Sequence, residues 1–263
     1  MHDALTIVSV TYASAAVLGG MLQSVPAGVR VVVVDSASSD GTVALARAAG
    51  VEVLALPRNL GFGCSCNAGA ARATTPWILF QNPDARLAPD CINQLLHATA
   101  RHPEASAFNP RIRDGHGAPY FKRRAVLLPR SAWMPRGSPA ADCEVAVLSG
   151  AALLCARAAF ATVGGFDERI FLYHEDDDLA LRLQRLGPLR FVRAAESRTW
   201  KAVRRRARPR RRASSRSTWG ARVSTSCAST GAGHGFHAGR VERARDGSVP
   251  CARLRAHRSP VHG

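Results

Sequence analysis

No two of the seven cysteines in this 263-residue chain stand in C-x-x-C spacing, and their number is odd. That excludes an even disulfide framework and the common zinc arrangements, and it points to a reduced, intracellular setting. Cys64 and Cys66 form only a C-x-C, which reads as a pair of small packing residues. No apolar run approaches the roughly 18 residues of a membrane span. The N-terminus lacks the basic-then-apolar pattern of a secretory leader. Any membrane contact is therefore expected to be peripheral.

Acidic residues are also scarce, with 19 Asp+Glu against 36 Lys+Arg and a net charge of +17. A charge of that size suggests nucleic-acid binding, but its distribution argues otherwise. Residues 1–199 carry 20 Lys+Arg and 17 Asp+Glu, whereas residues 200–263 carry 16 and 2. The same last segment has no Ile, no Met, one Leu (Leu254) and one Phe (Phe236). It cannot bury enough apolar surface to offset chain entropy, so a tail of low order is expected over 196–263. Arg204–Arg206 and Arg208–Arg212 without Pro209 give it a nucleic-acid reading through phosphate contacts, with little aromatic interleaving beyond Trp200 and Trp219. Its abrupt shift to Arg, Ala, Gly, Pro and Ser also fits a reading-frame shift in a GC-rich gene, which would leave an inactive, truncated protein.

Hydrophobic content over the whole chain is 46%, ample for a core, and the first 195 residues carry the patterned elements. Leu5–Val10 predicts a strand. Ser14 is a candidate helix N-cap, followed by Val17, Leu18, Met21, Leu22 and Val25 on one helical face. Val29–Val34 predicts a strand buried on both faces, ending on Asp35. A turn at Ser38–Gly41 leads to a helix over Thr42–Ala49, closed by Gly50. Val51–Leu56 is a third strand, and a small-residue helix is expected over Cys64–Ala73. Trp77–Phe80 predicts a fourth strand that stops at Pro83, which cannot donate to a ladder. Pro89 and Asp90 open a helix with Ile92, Leu95, Leu96 and Thr99 facing inward. Four strand–helix alternations predict an α/β fold with a parallel, doubly wound sheet. Beyond it, strands are expected near 105–112, 145–155 and 189–192, with a helix between Glu175 and Leu186.

Asp35, Asp84 and Asp176 fall at strand ends or a helix start, where open sheets bind ligands. Acids converging there suit a divalent cation on a diphosphate. Each acid taken singly reads rather as a turn residue or a helix cap. Within His174–Asp178, the i+3, i+4 and i+7 neighbours of Asp176 are Leu179, Ala180 and Leu183, which turns Asp176 toward the sheet. Asp178 faces Arg182 and Arg185 instead. A carboxylate in a cleft can serve as a general base.

The motifs, taken together, resemble those of family 2 glycosyltransferases of the GT-A fold. The likeness is carried by Thr11-Tyr12, by Val-Val-Val-Val-Asp35-Ser36-Ala-Ser38-Ser39-Asp40-Gly41-Thr42 and by Arg58-Asn59-Leu60-Gly61-Phe62-Gly63 with Asn67 and Gly69. Asn82-Pro83-Asp84, Ser149-Gly150-Ala151 and Gly164-Gly165-Phe166-Asp167-Glu168 continue it, and Phe171, Tyr173 and Glu175–Asp178 complete it. The branch it looks most like is the bacterial rhamnosyltransferase-like one.

The resemblance implies a Rossmann-like mixed sheet and inverting transfer of a sugar, with rhamnose a candidate. The donor is a nucleoside diphosphate sugar, and the acceptor a glycan or lipid-linked glycan. It implies Mg²⁺ or Mn²⁺, a role in cell-surface polysaccharide synthesis, and a place in the cytoplasm or at the inner membrane face. Thr11, Tyr12, Asp35, Ser38, Asn59, Gly61, Asn67, Asn82 and Asp84 would line the donor side, with Asp84 on the metal. Asp176 would be the base, with Glu175 and Asp178 on the acceptor side.

The chain departs from the family pattern at three points. Ala13 stands where Asn is usual, and Asn82 replaces the first acid of a D-x-D. No His-containing continuation follows the last strand; His234 and His237 lie in a Gly-rich context. A nucleotidyltransferase on a similar fold is disfavoured, because Thr11-Tyr12-Ala13-Ser14 is not a Gly-rich phosphate loop.

Overall fold

A computed structural model describes residues 4–200. The low order, phosphate contacts and frame-shift origin considered for the Arg-rich segment concern residues that, from 201 on, lie outside the described part.

The described residues build one mixed sheet with helices on both faces. In chain order the strands and helices are β1 (Leu5–Thr11), α1 (Ala15–Gln23), β2 (Arg30–Asp35), α2 (Thr42–Ala48), β3 (Glu52–Ala55), α3 (Phe62–Ala70), β4 (Trp77–Gln81), β5 (Ala85–Leu87) and α4 (Cys91–Arg101). They continue as β6 (Ala107–Asp114), β7 (Pro119–Tyr120), β8 (Cys143–Glu144), β9 (Ala152–Ala156), α5 (Arg157–Thr162), α6 (Glu175–Leu183) and β10 (Leu189–Thr199). The sheet runs β3-β2-β1-β4-β9-β6-β10-β5, with β7 on β6 and β8 on β10.

The first half follows the predicted parallel winding: β3, β2, β1 and β4 all pair in parallel. Val31 and Val33 pack with Ile7, Leu18, Met21, Ile92 and Leu95 on the α1–α4 side. Val32 and Val34 pack with Val8, Val10, Cys66 and Phe80 on the α3–α6 side. That period-2 split is why four consecutive valines suit this strand. Each such side chain contributes about 1.5–3 kcal/mol by leaving water. On α4, the predicted inward residues Ile92, Leu95, Leu96 and Thr99 are all buried.

The second half is not parallel throughout. β9 runs antiparallel to both β4 and β6. The single strand expected over 145–155 is reduced to β9 (Ala152–Ala156) after an irregular turn. The cause is Asn109. The β6–β9 ladder reaches Phe108↔Leu154, and there the Asn109 side chain replaces further backbone pairing. Its amide N donates to Ser149 O at 3.0 Å and Ala152 O at 2.5 Å, while its Oδ1 accepts from Ser149 N at 2.5 Å.

Two smaller expectations are also revised. Ser14 precedes α1 but makes no side-chain cap; its hydroxyl bonds the Tyr12 backbone instead. The last strand, expected over 189–192, runs to Thr199 and resumes beside β6 after a register shift between Val192 and Glu196. Glu196 then pairs with Arg111 at 2.6 Å and Arg113 at 2.8 Å. The antiparallel β5–β10 pairing sets Thr199 opposite Ala85, next to the end of β4.

Replacing Asn109 by Ala strands the Ser149 N–H and two carbonyls in a buried turn. Asn109→Ala is expected to lower unfolding free energy by about 2–3 kcal/mol, read from urea denaturation.

Candidate functional site

The carboxyl ends of β1, β2 and β4 share one sheet edge, and the amino end of β9 meets them there through the Gln81↔Ala152 register. Asp35, the Asn82–Asp84 turn and the turn before β9 therefore lie on the same edge.

At the β1–β2 end, Asp35 is 1% exposed. Its Oδ1 accepts from Thr11 Oγ1 at 2.9 Å and Ser38 Oγ at 2.6 Å, and its Oδ2 accepts from Ser38 N at 2.8 Å. Ser38 Oγ in turn accepts from Ala13 N at 2.9 Å. Thr11, Asp35 and Ser38 thus come together as a buttress that ties the loop after β1 to the loop after β2. Tyr12 stands beside it, 59% exposed. Asp40 closes the far side, accepting from the Thr42 hydroxyl and amide and from Ala15 N. The Thr42 hydroxyl, joined by those two amides, holds the Asp40 carboxyl below its ordinary value.

Asn59, Gly61 and Asn67 lie in the loop before α3 and on α3. Asn59 Oδ1 accepts from Gly61 N at 2.9 Å. Gly61 has φ +90°, and a Cβ there would sit 2.5 Å from Phe171 O, so only glycine fits this approach. Asn67 grips a backbone segment: Nδ2 donates to Phe166 O at 3.0 Å and Oδ1 accepts from Phe166 N at 2.9 Å. Phe166 then packs edge-on against Phe62, Phe80 and Phe160. Gly61 and Asn67 bring the segment leading into α6 against α3, and Asn59 holds the Gly61 turn.

The third cluster joins the two halves of the sheet. Asn82 N donates to Ala151 O at 3.0 Å. One residue earlier, Gly150 N donates to Asp176 Oδ2 at 2.9 Å. The same Oδ2 lies 2.6 Å from Lys122 Nζ, which also reaches Asp177 Oδ1 at 2.6 Å. Asp177 Oδ2 meets His174 Nδ1 at 3.1 Å. Burial opposes the charge on Lys122, but Asp176 and Asp177 together outweigh it and hold its pKa above the ordinary lysine value. Lys122 was not foreseen; it lies in a segment without periodicity, and only the fold brings it to the acids.

The helical reading of the acids needs correction. Asp176 does meet the sheet side through Gly150, but at the rim, with its side chain 18% exposed. Glu175 and Asp177 are the buried members. The first turn of α6 overhangs the sheet edge, so the apolar stripe covers it only from Leu179 onward. Asp178 is bound to Arg182 at 2.6 Å. Arg182 also donates to Val163 O and Gly165 O, so this pair closes the Gly164-Gly165 turn. Burial, reinforced by Asp176 and Asp177 and countered by its own amide and Lys122, raises the Glu175 carboxyl.

Asp84 is 2% exposed and accepts from Thr199 Oγ1 at 3.0 Å. Among the described residues no three His, Cys, Asp or Glu side chains gather as a protein-only metal cage. Asp84 offers a hard carboxylate oxygen, the donor type that Mg²⁺ takes alongside phosphate oxygens.

A family model described as glycosyl transferase family 2 matches residues 6–164. The chain belongs to glycosyl transferase family 2. It is 37% identical over 233 residues to an N-acetylglucosaminyl-diphospho-decaprenol L-rhamnosyltransferase of Mycobacterium tuberculosis (strain CDC 1551 / Oshkosh), covering 74% of this chain and 76% of that protein. Two solved structures share the fold. One is S. aureus TarS 1-349, with TM-score 0.59 and 17% identity over 74% of this chain and 60% of that one. The other is GalNAc-T7 with UDP, GalNAc and Mn²⁺, with TM-score 0.59 and 15% identity over 75% of this chain and 44% of that one. The chain thus spans less than two thirds of either solved structure. No helix among the described residues is long and apolar enough to cross a membrane.

The raised Glu175 gives this glycosyltransferase a pH signature. Its folded-state value exceeds the unfolded one of about 4.3, so its contribution to stability is full below that pH and is lost as pH rises through the folded value. Glu175→Gln is expected to melt higher than wild type at pH 7–8, with the difference vanishing toward about pH 4.

Proposed function

We propose that the chain catalyses inverting transfer of a sugar, with rhamnose the leading candidate, from a nucleoside diphosphate donor to a lipid-linked glycan acceptor. The single observation that carries this reading is the Gly150–Ala151 segment. It bonds Asn82 with its carbonyl and Asp176 with the preceding amide, so the metal turn and the base share one rigid joint. The rhamnosyltransferase relative supports the sugar and the lipid-linked acceptor.

In this reading the nucleoside lies over Tyr12, against the loops that Asp35 ties to Thr11 and Ser38. Asn59, Gly61 and Asn67 act as positioning residues for the donor side. Asp84, oriented by Thr199, and the Asn82 amide would hold Mg²⁺ or Mn²⁺. When bound, the cation offsets charge on the leaving diphosphate.

Asp176 is the base. Gly150 N and Lys122 Nζ both converge on its Oδ2, which leaves Oδ1 to receive the proton of the acceptor hydroxyl. The hydroxyl oxygen then displaces the diphosphate from the anomeric carbon on the opposite face. Lys122, through its ion pair with Oδ2, fixes the orientation of the Asp176 carboxylate. Glu175 and Asp178 act through the shape of the α6 entrance rather than on the acceptor itself, one from a buried position and the other through Arg182. The site of action is the inner face of the membrane, reached from the cytoplasm.

A panel of nucleotide sugars, with and without Mn²⁺, scored by nucleoside diphosphate release and acceptor product, tests the reading. Asp176→Asn should lower transfer about 10²–10⁴-fold while donor affinity by calorimetry stays unchanged. Asp84→Ala should abolish the metal-dependent part of donor binding. Wild-type transfer by Asp176→Asn would remove Asp176 from its role.

A further inference from the structure

Apart from Lys122 at its root, the segment between β7 and β8 has no part in the chemistry above. From Phe121 to Ala141 it contains no Asp or Glu; besides Lys122, which is paired with Asp176, it holds Arg123, Arg124, Arg130 and Arg136. The rest of residues 1–199 is nearly balanced in charge, so these uncompensated arginines stand out. Arg123, Arg124 and Arg130 gather over the ring of Trp133, at 5.6, 5.0 and 5.8 Å from its centroid. Beside them Val126 is 80% exposed and Leu127 50% exposed, while Ala125 below them is buried. The loop has an internal frame that fixes this display: Arg123 Nη1 donates to Met134 O at 3.1 Å and Trp133 Nε1 to Leu128 O at 3.3 Å.

A single exposed aliphatic residue is ordinary. Two adjacent ones on a fixed tip, ringed by guanidinium groups around a Trp, match the layered chemistry of a bilayer surface. Aliphatic tips enter the acyl boundary, Trp sits at head-group depth, and Arg meets anionic phosphates. Three like charges around one ring repel each other, and an anionic surface relieves that repulsion. Nucleic acid fits less well: the arginines cover the Trp face that a base would need, and the aliphatic tip offers phosphates nothing.

We infer that the 121–136 loop is the surface by which this chain docks on an anionic phospholipid bilayer. The inference deepens the reading of a lipid-linked acceptor and rests on it for its purpose. Lys122, at the root of the loop, is ion-paired with Asp176. A head group rising from the bilayer beside the tip would thus meet the base at the same loop.

The test uses the full chain with vesicles of phosphatidylcholine alone or mixed with phosphatidylglycerol, their acyl chains brominated to quench Trp at the interface. Co-sedimentation is not the readout, because the 16 Lys+Arg of residues 200–263 can attract anionic vesicles by themselves. The readout is the quenching component that disappears in Trp133→Phe. It is expected to be large on the anionic vesicles and absent on pure phosphatidylcholine. The double variant Val126→Asp/Leu127→Asp, altered only at exposed positions, should lose it while keeping the wild-type far-UV spectrum. Arg124→Glu/Arg130→Glu should lose it too. An unquenched Trp133, quenching that survives Val126→Asp/Leu127→Asp, or quenching by single-stranded RNA in place of vesicles would each overturn the inference. No donor or acceptor is present, so failure here leaves the sugar-transfer reading standing, and failure of the transfer assay leaves this one standing.

Discussion

The antiparallel seam between β4 and β9 is the constraint on which the site depends. A wholly parallel sheet would send the amino end of β9 to the far edge, away from the ends of β1, β2 and β4. Because β9 runs the other way, its preceding turn arrives at the edge where the other strands finish. The Gly150–Ala151 segment can then bond Asn82 on one side and Asp176 on the other. A Cβ on residue 150 would lie 3.2 Å from Asp176 Oδ2, so the carboxylate is seated directly on the backbone. Asn109 maintains that turn from the neighbouring strand by replacing a stretch of ladder with side-chain bonds.

Around this seam, motif residues act mainly as fasteners between segments distant in sequence. Asp35 ties two loops, Asn67 holds Phe166 across 99 positions, and Arg182 closes the turn that carries Phe166. Thr199, at the end of the last strand, reaches back 115 positions to Asp84. Polar groups buried this deeply are costly unless paired, which explains why so many of the motif side chains are spent on internal partners. Others, such as Tyr12, Asn59 and Phe171, stay exposed at the same end of the molecule.

Much of this was legible beforehand. The valine run of β2, the apolar stripe of α4 and the Pro83 stop of β4 follow from periodicity and proline chemistry, and they came out where expected. The site motifs were legible as a set through family resemblance. The individual contacts were not. Lys122 had no local signature, because its partners lie more than 50 residues away. The strand expected over 145–155 was shortened by an Asn on another strand, a contact no local pattern encodes. Asp176 was correctly turned toward the sheet, but its depth was not predictable, because helical spacing gives direction and not how far a helix overhangs an edge.

The sequence by itself determined the alternation of strands and helices, the two-faced burial of the early strands and the family to which the chain belongs. Those depend on local spacing and on ordered motifs. Only the tertiary structure decided that β9 reverses direction, that Lys122 and Gly150 share one oxygen of Asp176, and that Thr199 supports Asp84. The physical reason is that strand direction and long-range polar pairing are fixed by which buried groups find partners, and that is settled only when the whole sheet assembles.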